Sequence, residues 1–246
     1  MHNAMWAATV GSMYQMQRMD VIANNLANAN TVGFKADQVS FKATMSQIQT
    51  DQFAHYRDNL SPISASMITR TTFAPGIVQD TKNSMDVAIL GDGFFAVQTT
   101  DGLRYTRAGN FTLDPDGQIT TSDGHVVLGE GGPIQIRDGL PFEIDEIGKV
   151  YQDGNEIGKL LVTKVTNPET LEKVSGKMFK PTGATRTESI DAPDIKQGAL
   201  ESSNVNIIRE MTYMVQAGRA FEAYQQVIGL MNNINQQALS KIASQQ

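Results

Sequence analysis

The last 43 residues, Asn204 to Gln246, constrain this chain most. Apolar or small residues recur at Ile208, Met211, Val215, Gly218, Phe221, Tyr224, Ile228, Met231, Ile234, Ala238 and Ile242. The gaps are three or four throughout, which is the period of one helix face. No proline interrupts the run, and Ser202, Ser203 or Asn204 can cap its start. A helix of about 37 residues is about 55 Å long. A mean gap of about 3.5 over so many turns marks a coiled-coil seam.

The other faces of that helix carry little charge: Arg209, Glu210, Arg219, Glu222 and Lys241, and otherwise Asn, Gln, Ser and Ala. Either it is a weakly charged surface helix or its outer face also meets protein, from neighbouring copies. Solvated helices normally carry more charge outside, which favours the second reading. Gly218 and Gly229 each cost about 1 kcal/mol against Ala in a helix interior. They make sense where another backbone packs close or the helix bends.

The N-terminus has its own seam: Trp6, Val10, Met13, Met16, Met19, Ala23 and Leu26. It is the natural partner of the C-terminal helix. Methionine dominates, which suits packing in non-equivalent surroundings. Residues 1–35 hold three charged side chains (Arg18, Asp20, Lys35) and residues 204–246 hold five, against 46 in the chain. Ends that face protein and a middle that faces water would give this distribution. The expected assembly surface is Trp6, Val10, Met13, Met16 and Leu26 with Ile208, Met211, Val215, Phe221, Ile228 and Met231.

Between the N-terminal seam and the middle lies NNLANANTVGFK, Asn24 to Lys35. Asn24, Asn25, Asn28 and Asn30 are poor helix formers that bond well to nearby backbone. Gly33 can take positive φ and end the helix, with Phe34 packing back. These six residues read as a helix stop and a tight structural corner.

The run NNLANANTVGFK closely resembles the N-terminal signature of flagellar axial proteins, the rod, hook and hook–filament junction subunits. The run ESSNVNIIREMTYMVQAGRAFEAYQQVI, Glu201 to Ile228, resembles their C-terminal signature. Between them, SMDVAILGDGFFAV (Ser84 to Val97) and YTRAGNFTLDPDGQ (Tyr105 to Gln118) resemble the β domain shared by rod and hook proteins. Residues 36–76 and 140–195 carry the resemblance least. It implies a structural rod subunit, with itself and other rod subunits as partners. It also implies passage through the flagellar type III export apparatus and a place in the rod that spans the periplasm. The small middle region argues against the hook protein. Gly129-Glu130-Gly131-Gly132-Pro133-Ile134 is similar to proximal-rod members, with a distal-rod subunit as the alternative.

Residues 36–83 are Ser/Thr/Gln-rich with Pro62 and Pro75-Gly76, and read as an extended connector with short strands. From residue 84 to 200 the grammar is all-β. MDVAI, FFAVQ, LRYTR, NFTLD, QITT, HVVL, PIQI and KVYQ are strand-length, and Lys159–Val165 reads as a central strand. Asp-Gly occurs at 92–93, 101–102, 116–117, 123–124, 138–139 and 153–154, a strong hairpin signal. The expected fold is a mainly β central domain with discontinuous N- and C-terminal helices pairing as a coiled-coil-like layer. Its segments are 1–35 (helix and corner), 36–83, 84–200 and 201–246 (long helix).

Chemistry is sought without result. Gly91-Asp92-Gly93-Phe94-Phe95-Ala96 fits a dinucleotide fingerprint, but the run Phe94 to Gln98 is strand-like where a helix is required. Asp114-Pro115-Asp116-Gly117 fits part of a calcium loop, yet a hairpin turn explains it without metal. His2, His55 and His125 have no zinc-type spacing, and no G-x-S-x-G is present. We expect no catalytic residue, cofactor or metal. A net charge of -6 with pI about 5.1 and no basic stripe speaks against a nucleic-acid partner. No apolar run is long enough for a membrane span. Residues 1–11 have neither a basic n-region nor an apolar h-region of a secretory signal. Cysteine is absent. The competing class, an enzymatic or sugar-binding β module with a helical oligomerisation tail, predicts a cleft of converging polar side chains.

Overall fold

The computed structural model describes residues 2–45, 63–137 and 140–243. His55, the Asp-Gly at 138–139 and part of the expected connector lie outside the described residues. The chain divides into two compact units: Met1–Leu26, Asp37–Arg70 and Ile207–Gln246 form one, Ala27–Ala36 and Thr71–Asn206 the other.

The first unit pairs α1 (His2–Ala27) with α2 (Ile207–Ala243). Gln225 Nε2 donates to Ser12 Oγ at 3.0 Å, the Arg18 guanidinium lies 5.5 Å from the Tyr213 ring centre, and Asn25 Nδ2 donates to Glu210 Oε2 at 3.4 Å. Residue numbers rise on α1 as they fall on α2, so the pair is antiparallel. Close approach depends on small residues. A Cβ on Gly11 would sit 2.6 Å from the Tyr224 ring, so only glycine admits that ring. The expected connector contributes two nine-residue strands, Asp37–Met45 and Ile63–Thr71, paired with each other.

Apart from one 3₁₀ turn at Pro168–Thr170, the regular structure of residues 71–206 in the second unit is β, with antiparallel pairing throughout its registers. Its ten-stranded sheet is centred on Phe94–Thr99, flanked by Gly102–Thr106 on one side and by Val126–Gly129 and Val162–Val165 on the other. Alternate residues of a strand face opposite ways, so this strand feeds two cores. Phe95 joins Val87, Phe111, Ile119, Val127, Val150 and Leu160. Phe94 and Ala96 join Tyr105, Val165, Leu171 and Phe179. Burial on both faces is why FFAV reads as an unbroken apolar run.

Turn chemistry does what Asp-Gly demands. Asp153 (φ 53) and Gly154 (φ 76) are both left-handed and join Lys149–Gln152 to Asn155–Lys159 as a two-residue hairpin loop. The expected single strand Lys159–Val165 is instead two. Asn155–Lys159 belongs to a three-stranded sheet and Val162–Val165 to the large one. The break comes from a change of backbone partner: Leu160 N donates to Gly148 O and Leu161 N to Leu128 O. Near the end of the unit, Ile195–Gln197 pairs with Val87–Ile89 and Ala199–Glu201 with Val78–Asp80.

Candidate assembly surface and corner

In the first unit, spacing alone merged two stripes of α2. Glu210, Met214, Ala217, Phe221, Tyr224, Ile228, Met231 and Asn235 are buried or half-buried at alternating gaps of four and three, the α1-facing stripe. Phe221, Ile228 and Met231 lie on it. Ile208, Met211 and Val215 do not; they are exposed on another flank, Ile208 by 79 %. On α1 the buried positions are Ala8, Ser12, Ile22 and Asn25. The expected seam is turned away from them: Trp6, Met13 and Met16 are about half exposed, while Val10 and Leu26 are half-buried. The physical reason is closeness. Ala8, Gly11 and Ser12 let the helices meet as Trp and Met could not. What remains is a helix pair with large apolar side chains exposed on its outer flanks.

α1 does not stop at Asn24 and Asn25; it runs on to Ala27. Asn25 is buried and fully used inside this unit. Its Oδ1 accepts from Asp37 N at 3.0 Å and its Nδ2 donates to Asp37 O at 2.9 Å and to Glu210. A side chain so occupied does not compete with helix backbone bonds. Asn24 is exposed on the helix surface.

The turn itself belongs to the second unit. Thr31 N donates to Asn28 O and Thr31 Oγ1 to Asn28 Oδ1, while Asn30 is exposed. Gly33 has φ 67, and a Cβ there would lie 2.3 Å from Ala108 N. Glycine is therefore required twice over. Phe34 is fully buried, with Lys173 Nζ 3.9 Å from its ring centre.

Next to it stands a group that sequence reasoning missed. Glu201 Oε1 accepts from Lys35 Nζ at 2.7 Å and from Gly76 N at 2.7 Å, and Glu201 Oε2 from Arg107 NH1 at 3.4 Å. All three ionised side chains are buried. Lys35 also donates to Ala74 O, and Arg107 to Ile89 O and Gly91 O. Burial holds the Lys35 ammonium below its usual range even though Glu201 pulls it up, and burial likewise lowers Arg107. The Glu201 carbonyl accepts from Gly33 N at 2.8 Å. Lys35 closes the run NNLANANTVGFK and Glu201 opens the run beginning ESSNV, so one ion pair joins the two signature stretches. A lone ionisable residue at the edge of each charge-poor segment was the available signal.

Asn204, a candidate cap of the long helix, serves elsewhere in this unit. Its Oδ1 accepts from Ala36 N and its Nδ2 donates to Thr72 O and Ala74 O, while α2 begins at Ile207.

Two weak motifs resolve locally. Phe94 opens a strand, so no helix N-terminus faces Gly91–Gly93. Asp114 Oδ1 accepts from Asp116 N and Gln118 N, tying up its own turn. No group of three or more metal-ligating side chains occurs among the described residues. A cleft of about 490 Å³ in the β unit is lined by polar residues, among them Gln135, Arg137, Gln152 and Asn155. The Gln152 amide is spent on the backbone N and O of Arg137, and Asn155 donates to Asp153 O. Gln152 and Asn155 thus hold the loops that border the cleft. No described helix is long and apolar enough to cross a membrane.

Residues 88–207 match the family described as flagellar hook protein FlgE/F/G D1 domain. Residues 196–241 match the flagellar basal body rod FlgEFG protein C-terminal family, and residues 7–35 the flagella basal body rod protein family. The chain is 34% identical to the flagellar basal-body rod protein FlgG of Bacillus subtilis (strain 168), over 98% of this chain and 99% of that one. It is 32% identical to FlgF of Caulobacter vibrioides, over 98% of each chain, and 32% identical to FlgF of Escherichia coli (strain K12), over 95% of each.

Proposed function

The chain belongs to the flagellar basal-body rod protein family, and on that premise we propose that it is a proximal-rod subunit assembling through its terminal helices. It is a structural subunit of the basal body, in a family of structural proteins. The observation that carries the finer reading is the helix pair in which Trp6, Met13 and Met16 on α1 and Ile208, Met211 and Val215 on α2 stay exposed. Apolar burial between subunits would offset the entropy lost on association. Stacked copies then form a tube through the periplasm that transmits torque to the hook. The family resemblance supports delivery by the type III export apparatus without a cleaved signal. Residues 129–134 support the proximal position, and relatives of both the FlgF and FlgG kinds keep the distal one in view.

The test is purification of hook–basal bodies from cells carrying an epitope-tagged chain, followed by immunogold labelling. Label at the membrane-side end of the rod is expected. Label near the hook would make it a distal subunit, and absence from basal bodies would overturn the rod assignment.

A further inference from the structure

Residues 133–137 of the β unit present a strand edge with an open rung. They alternate exposed and buried as a strand does. Ile119 N donates to Ile134 O and Ile136 N to Gly117 O, with Gln118 bridging Gln135 in antiparallel sense. Ile134 and Ile136 thus spend backbone groups on that neighbour, while Pro133, Gln135 and Arg137 turn theirs the other way. At Arg137 that side is filled: the buried Gln152 amide accepts from Arg137 N at 2.9 Å and donates to Arg137 O at 2.8 Å. At Pro133 the ring removes the donor. Between them, Gln135 N and O have no partner among the described residues.

Gln135 and Arg137 line the cleft of about 490 Å³, together with Leu140 and Ile157, which are 44% and 37% exposed. The Arg137 side chain is exposed and has no carboxylate partner among the described residues, Asp153 of the same cleft included. Each feature selects an occupant. A donor and an acceptor on one residue suit an extended peptide, which exchanges both bonds with it. Leu140 and Ile157 suit an aliphatic side chain, and the free guanidinium suits a carboxylate. We infer that this cleft receives a short extended segment of a partner protein by strand addition at Gln135. In antiparallel pairing, the partner residue opposite Arg137 lies two positions before the one opposite Gln135. The segment therefore carries an acidic residue two positions before an aliphatic one. Pro133 and the Gln152 amide close the edge on either side, so a single rung is offered, which fits a weak, reversible contact and not sheet growth. The site is separate from the terminal helices and does not depend on which rod position the chain takes.

The probes are three blocked peptides titrated calorimetrically into the full chain: Glu-Thr-Val-Thr-Val, the same peptide with Lys in place of Glu, and the Glu peptide N-methylated at its central Val. The Glu peptide should bind about fivefold or more tighter than the Lys peptide, and N-methylation should weaken it about tenfold or more. Arg137→Glu should reverse the preference between Glu and Lys. Asp153→Asn removes a repelling carboxylate and should tighten the Glu peptide. Gln135→Pro deletes the open N–H and no sheet bond, so it should abolish binding with the urea midpoint unchanged. No binding of the Glu peptide, equal binding of all three peptides, or full binding to a folded Gln135→Pro chain would overturn the proposal. So would an N-acetylglucosamine oligomer that binds, is lost in Arg137→Glu, and is not displaced by the Glu peptide. The three-peptide comparison uses the unaltered chain, so it decides even where a variant fails to fold.

Discussion

Removing Glu201 should cost the β unit far more than removing Lys35, although they are partners in one ion pair. Glu201→Leu deletes the acceptor of Lys35 Nζ, Arg107 NH1 and Gly76 N together. It leaves two buried cations facing each other and an unpaired backbone N–H. Breaking a buried pair from one side costs about 3–5 kcal/mol, and an orphaned buried donor about 1–3 more. Lys35 can shed its proton, since burial already lowers its pKa, so a net loss of about 4 kcal/mol is the expectation. Lys35→Met is different. Glu201 keeps Arg107 and Gly76 N, and Ala74 O keeps the Asn204 amide at 3.0 Å. No group is orphaned and one desolvated cation disappears, so the loss should be about 0–2 kcal/mol. Against a total stability of about 5–15 kcal/mol, the difference decides whether the unit folds at 37 °C. Urea unfolding of the full chain, followed by circular dichroism, measures it. With a slope of about 2 kcal/mol/M, Glu201→Leu should move the midpoint by about 2 M and Lys35→Met by less than about 1 M. The double variant should be more stable than Glu201→Leu alone, because one stranded cation is gone. Equal losses from the two single variants, or a larger loss from Lys35→Met, would refute the account of Glu201 as the common acceptor.

Three further outcomes are expected. Because burial lowers the folded-state pKa of Lys35 below its ordinary 10.5, the unfolded chain binds more protons just below that pH. Stability should therefore rise as pH approaches 10.5, and urea midpoints of Lys35→Met should lack that part of the rise. Asn25→Asp keeps the acceptor for Asp37 N but loses both donors and sets a carboxylate against Glu210. It should destabilise the helix unit by about 2–3 kcal/mol, with partial recovery at acid pH, read as faster hydrogen exchange in α1; unchanged exchange would contradict the buried amide. Gly218 has no described atom within 4 Å of an added Cβ, so Gly218→Ala should stabilise α2 by about 1 kcal/mol in the free chain. Lowered rod incorporation of that same variant would locate a neighbouring copy at Gly218.

Much of the fold was legible because its signals are local. Gaps of three and four announce helices at both ends, and Asp153-Gly154 announces its hairpin since two consecutive left-handed residues leave few alternatives. The positive φ of Gly33 is equally local, but Gly33 does not end the helix as expected: α1 stops at Ala27, six residues before it. The strand at 159–165 was misjudged where the change of partner at Leu160 and Leu161 depends on strands remote in sequence.

What the sequence by itself determined is the helical period, the positions of the turns and the scarcity of charge at both ends. Only the tertiary structure decided which apolar stripe of each helix faces the other. Period names a face only when one face is apolar, and here α2 carries Met211 and Val215 on one flank and Phe221 and Ile228 on another. The choice fell to Ala8, Gly11 and Ser12, whose small size sets how near the helices come. Likewise, Lys35 and Glu201 stand 166 positions apart. Nothing local to either predicts their pairing, because burial of a charge is decided by the partner the fold delivers to it.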